Sequence, residues 1–177
     1  YEFLVETPDN NHEPDGTPAL ACLSPRFTLD AETTRHTVRV WLDTFDARLR
    51  AAGLVLAYTT TPGATAQLVL DGRGGRLTQP APDLRLPVLA EGLPLGPVSD
   101  RIAAVLSIRA LLPLATVHST SSEFALRNTE SKTVVRVALE HAVADRPAEA
   151  DGAVRTTRRP TPESTALPPR ILVKPLR

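Results

Sequence analysis

Seventeen prolines and nine glycines punctuate this 177-residue chain and cut it into short pieces. Proline has no N–H for a helix interior or a central strand, and glycine supplies the positive φ of tight turns. Short pieces separated by turn residues read as mostly β. Residues 35–43 alternate most clearly: His36, Val38, Val40 and Leu42 take one face, and Arg35, Thr37, Arg39, Trp41 and Asp43 the other. Strands are expected next at 54–60 and 66–70, with Pro62-Gly63 turning between them, and a weaker one at 84–88 between Pro82 and Pro87. Residues 114–123 and 133–143 read as a hairpin, and 171–174 as a last strand.

Helices are few. Thr17-Pro18 caps and opens a short one through 23, and residues 45–52 make another that Gly53 closes. The best spans 100–112, capped by Ser99 and stopped by Pro113. The order gives an α+β fold dominated by antiparallel sheet, curled into a closed or partly open β-barrel. The domain reading is a barrel body over 1–144 and a Pro/Arg-rich loop or linker over 145–169, carrying one strand at 153–157. The last strand over 170–177 then leads toward further chain.

Composition narrows the function classes. Apolar residues make up 42%, enough for a core. No run approaches the roughly 18 uncharged apolar residues of a membrane-spanning helix. The opening residues 1–10 carry Glu2 and Glu6 and no basic stretch before an apolar one, so they are not read as a signal peptide. One cysteine, Cys22, excludes an internal disulfide framework and a Cys-based zinc site, and a cytoplasmic protein is expected. With 20 basic and 20 acidic residues, the charge argues against a DNA-binding surface. All the basic residues except Lys132 and Lys174 are arginines, whose forked donors suit phosphate oxygens.

The segment 40–56, Val-Trp-Leu-Asp-Thr-Phe-Asp-Ala-Arg-Leu-Arg-Ala-Ala-Gly-Leu-Val-Leu, resembles the Asp-Thr-x-Asp passage of the CYTH superfamily, the triphosphate tunnel enzymes. A helix containing Arg109 followed by the 114–143 hairpin repeats the family's order. Residues 168–177 look like the junction where CYTH domains run into a CHAD domain. The resemblance covers about 24–177. It implies an antiparallel β tunnel whose basic groups hold a triphosphate and whose carboxylates hold Mg²⁺ or Mn²⁺.

Several of the family's key positions differ in this chain. The family's Glu-x-Glu-x-Lys strand reads Tyr1-Glu2-Phe3-Leu4-Val5-Glu6, without the lysine and without the alternating spacing. Its Leu-Arg-x-Arg strand reads Leu56-Ala57-Tyr58-Thr59, and the lysine-ending strand reads Gln67-Leu68-Val69-Leu70-Asp71. The hairpin offers His118, Thr120 and Ser122 where the family often has arginines. The remaining phosphate-binding candidates are Arg35, Arg39, Arg136 and Lys174, and the metal candidates are Glu2, Glu6 and Glu140. These are too few for a full triphosphate clamp.

Each candidate also has a plain structural reading. Arg35 and Arg39 line a tunnel or a solvated strand face. Arg136 and Glu140 line the tunnel or form a cross-strand ion pair. Asp43-Thr44 caps the short helix. Trp41 stacks a ligand or is half-buried, and His36 belongs to the core. His118 and His141 lack a third metal ligand. Ser119–Ser122 lie outside any nucleophile motif. Gly72-Arg73-Gly74-Gly75 is a turn rather than a phosphate loop. The resulting expectation is a non-catalytic or weakly active CYTH-like module for inorganic polyphosphate or another phosphate-rich polyanion, with a CHAD domain as a possible partner in the same chain. A metal-dependent triphosphatase and a structural interaction domain stand as alternatives.

Overall fold

A computed structural model describes residues 2–4, 26–145 and 164–175. Among the described residues eight strands and two α-helices follow one another. They are β1 (Glu2–Leu4), β2 (Thr28–Asp43), α1 (Arg48–Ala51), β3 (Val55–Thr60), β4 (Gln67–Gly72), β5 (Gly75–Pro80), α2 (Pro97–Leu106), β6 (Leu112–Arg127), β7 (Thr133–Asp145) and β8 (Thr165–Pro175). The strands hydrogen-bond in the order β1-β8-β7-β6-β2-β3-β4-β5. The pairs β1–β8, β2–β3, β3–β4 and β4–β5 are antiparallel. The fold is thus α+β and mostly antiparallel, as expected. Of the expected closed or partly open barrel, the closed form is corrected: among the described residues β1 and β5 end the order without pairing with each other, so the sheet is not closed.

The described residues form two units. The first contains 2–4, 26–36, 119–143 and 166–175; the second contains 37–118, 144–145 and 164–165. Strands β2, β6, β7 and β8 contribute to both.

The second unit has the larger core. Val40 and Leu42 of β2, Leu56 and Tyr58 of β3, and Leu68 and Leu70 of β4 are buried on one sheet face. The printed register places Val40 opposite Tyr58 and Leu42 opposite Leu56, so alternation gathers these side chains. Leu49 of α1 and Val98, Ile102 and Leu106 of α2 complete the cluster. Each such burial contributes about 1.5–3 kcal/mol. The first unit has a thinner core: Leu126 and Val137 are buried, with Phe27, Leu29, Phe124, Val135, Ile171 and Val173 packed against them.

Helix α2 starts and stops earlier than the 100–112 expectation. Pro97 takes its first turn, where a missing N–H costs nothing, so Ser99 lies inside the helix. The cap comes from the neighbouring strand. Gln79 of β5, only 2% exposed, accepts the N–H groups of Val98 and Ser99 on Oε1 at 2.9 and 3.2 Å. Its Nε2 donates to the Pro94 carbonyl at 2.6 Å. A Cβ on Gly96 would lie 2.7 Å from the Gln79 side chain, so the close approach needs glycine there. At the far end Ser107 turns to φ 52 and the chain leaves the helix. Leu112 therefore belongs to β6.

Other expectations shift as well. Strand β5 was not anticipated. It pairs with β4 through the Gly72–Gly75 turn, and its alternation is masked by the buried polar Gln79. Residues 84–88 form no strand; Val88 makes an isolated bridge to Leu111. Pro87 has no N–H for a ladder. The last strand begins at Thr165 instead of 171. The expected helix at 17–23 and strand at 153–157 lie outside the described residues.

Gln79→Ala removes three hydrogen bonds and leaves two buried helix N–H groups unpaired. We expect a loss of about 1–3 kcal/mol, read as a lower urea midpoint at unchanged slope. An unchanged midpoint would show that α2 is capped by other means.

Candidate functional site

The segment that carries the family resemblance works in the fold. Strand β2 ends at Asp43, which is 4% exposed. Its Oδ1 accepts the N–H groups of Thr44 and Leu49 at 2.7 and 2.9 Å, and its Oδ2 accepts that of Arg50 at 3.1 Å. Thr44 Oγ1 accepts the Arg48 N–H at 3.0 Å and donates to Asp46 Oδ1 at 2.7 Å. The expected capping of the short helix by Asp43-Thr44 is therefore present, although the helix is a single turn, Arg48–Ala51. Gly53, at φ 69, follows its end.

Asp46 anchors two arginines. Arg48 Nε lies 3.0 Å from its Oδ2, and Arg109 Nε 3.4 Å from the same atom. Arg109 Nε lacks an aligned hydrogen bond, so this contact is ionic only. The Arg109 guanidinium sits 4.7 Å from the centroid of the exposed Phe45 ring. Arg48 Nη1 donates to the Leu106 carbonyl at the end of α2 at 3.1 Å. The Thr44 hydroxyl foremost, and Arg48 after it, hold the Asp46 carboxyl below its ordinary range.

The predicted phosphate and metal residues fall in different places. Arg39, in the second unit, lies 5.6 Å from the Trp41 ring centroid. Arg35, in the first unit, is exposed on β2. Glu2 sits in β1, its backbone paired with Leu172. Glu6 lies outside the described residues.

Arg136, Glu140 and Lys174 belong to the first unit, on β7 and β8. Arg136 and Glu140 do not pair with each other. Arg136 instead grips Glu32 of β2 with Nε and Nη2 at 3.0 and 3.3 Å. Glu140, its side chain 16% exposed, faces Arg170 Nη2 at 3.2 Å. Lys174 Nζ stands 4.0 Å from Glu123 Oε1. Thr33 Oγ1 donates to the other oxygen of Glu123 at 3.5 Å. Chiefly the Glu32 hydrogen bonds, and in smaller part the Glu123 charge, push the Arg136 pKa further up. Arg127 pairs with Asp30 at 2.8 Å in the same unit. Sequence reasoning missed Glu32, Glu123, Arg127 and Arg170. Their only signal was charge within alternating strands.

The histidines also differ from expectation. His36 is exposed rather than in the core, and its Nδ1 lies 3.1 Å from Thr120 Oγ1. The buried side of β2 begins only at Val38. His118 Nε2 lies 3.4 Å from Asp145 Oδ2, and Ser164 Oγ donates to Oδ1 of the same buried carboxylate. Aspartate stands between serine and histidine, so the imidazole cannot take the serine proton as it would in a hydrolytic triad. Among the described residues no three His, Cys, Asp or Glu side chains come together as a metal site. Among the described residues no helix is long and apolar enough to cross a membrane. No protein-family model matches the chain, and no curated protein matches it.

Asp43→Ala leaves three N–H groups without their acceptor, two of them in buried positions. We expect a loss of about 2–4 kcal/mol in denaturant unfolding. For Asp46 the folded pKa lies below the unfolded one. Its contribution to stability is therefore present above the ordinary carboxylate range and disappears as pH falls through the lowered value. Carboxyl NMR should place the Asp46 midpoint below that of an unstructured aspartate, and Thr44→Val should move it upward. An unmoved midpoint would remove the hydroxyl as the main cause.

Proposed function

We propose that the chain is a CYTH-like module that binds inorganic polyphosphate or a similar phosphate-rich polyanion without turning it over. The observation that carries this reading is a set of cations held by carboxylates on strands of the first unit, among them Arg136 on Glu32 and Lys174 on Glu123. A carboxylate held by a guanidinium or an ammonium marks where a phosphate oxygen would take its place, and both cations keep solvent access. Their side chains are 43% and 70% exposed. Arg127 and Arg170, on β6 and β8, supply further donors in the same unit. The non-catalytic part of the reading follows from the metal candidate Glu140. Its carboxylate is engaged by Arg170. It also follows from the missing arginines of the 56–59 strand, since each lost charge-stabilising donor typically costs about 10²–10³ in rate.

The test is calorimetric titration of the 177-residue chain with tripolyphosphate and with long-chain polyphosphate, each with and without Mg²⁺. Released phosphate is assayed in the same samples. The expected result is binding without release, weakened about five- to tenfold by Arg136→Gln. Metal-dependent release would replace the reading with a triphosphatase. No binding would remove phosphate as the ligand and leave a structural interaction domain.

A further inference from the structure

The same cluster carries one more consequence, and it rests on the phosphate reading just given. In the first unit each of four basic side chains faces a carboxylate: Arg127–Asp30, Arg136–Glu32, Arg170–Glu140 and Lys174–Glu123. A polyanion arriving there meets cations that already have partners, and it must displace a carboxylate to use each one. In the Arg136–Glu32 pair two guanidinium nitrogens reach both oxygens of one carboxylate at 3.0 and 3.3 Å. Both groups are partly solvent-exposed, with side chains 43% and 31% exposed, so an incoming anion can reach the pair.

We infer that Glu32 is an autoinhibitory partner of Arg136, an internal anion that occupies the guanidinium until a phosphate-rich ligand displaces it. The geometry explains why the carboxylate sits there without a metal role. Glu32 reaches the arginine fork with both oxygens, and among the described residues no group of three His, Cys, Asp or Glu side chains makes a metal site. A carboxylate that served as a metal ligand would have the opposite effect on binding when neutralised, because its loss would weaken attachment of a metal–phosphate complex. The sign of the change therefore separates the two roles.

The experiment compares tripolyphosphate affinity, measured by calorimetry with and without Mg²⁺, for the wild-type chain and Glu32→Gln. The amide keeps the shape of the side chain and removes its charge. Releasing one exposed ion pair should tighten binding about two- to fivefold. Two further variants make the result specific. In an Arg136→Gln background the same change should give no gain, because the inhibition acts through Arg136. Glu130→Gln removes an acidic group of the same unit that faces Lys132 at 2.9 Å, and it should give a smaller gain. If the wild type binds and Glu32→Gln binds equally or more weakly, the inference falls while the phosphate reading stands. If the gain persists without Arg136, or Glu130→Gln matches it, the effect is general charge and the inference also falls. If neither wild type nor variant binds, the phosphate reading itself is lost.

Discussion

The buried carboxylate of Asp43 organises the second unit. A carboxylate removed from water needs several donors, and here the backbone N–H groups of Thr44, Leu49 and Arg50 supply them. That requirement bends the chain sharply at the end of β2 and sets the single turn of α1. It also directs Leu49 into the core beside Leu106 of α2. Thr44 and Asp46 extend the arrangement outward. Asp46 collects Arg48 and Arg109, and Arg48 in turn binds the last carbonyl of α2. At the other end of that helix Gln79 repeats the strategy with a neutral side chain. Helix α2 is thus fastened at both ends by polar groups from strand β5 and helix α1.

The first unit is built on a different balance. Its apolar cluster is small, and charged pairs join neighbouring and next-nearest strands. Exposed pairs contribute little to stability, with a median of about 0–1 kcal/mol. Pairs that cost little to open suit a surface on which a ligand exchanges for an internal partner. This is the physical link between the thin core of this unit and the ligand class proposed for it.

Much of the fold was legible because it is local. Alternation over 35–43 identified the core of β2, and Pro62-Gly63 together with Gly72 to Gly75 marked the turns around β4. The β6–β7 hairpin was visible from two alternating runs around Asn128, whose Oδ1 accepts the N–H groups of Glu130 and Lys132. Elements whose signal lies elsewhere in the chain were misread. Strand β5 looks polar because Gln79 is buried for the sake of a helix nineteen residues later. The bounds of α2 depend on that same side chain more than on Ser99. His36 carries the parity of the apolar face but lies where β2 is open to solvent, so the face it shares ends before it is reached.

The site shows the same division. Sequence alone determined which residues carry charge, that Asp43-Thr44 would cap a helix, and that one cysteine and four scattered histidines give no framework for a thiol-based metal site. These follow from residue identity and short spacing. Only the tertiary structure decided that Arg136 pairs with Glu32 instead of Glu140, that Glu140 goes to Arg170, and that Lys174 reaches Glu123. Tertiary structure also decided that, among the described residues, β1 and β5 end the strand order. The reason is that an ion pair or a sheet edge depends on which strands become neighbours. That choice is made by packing across more than a hundred residues in the case of Glu32 and Arg136, beyond the reach of any local pattern.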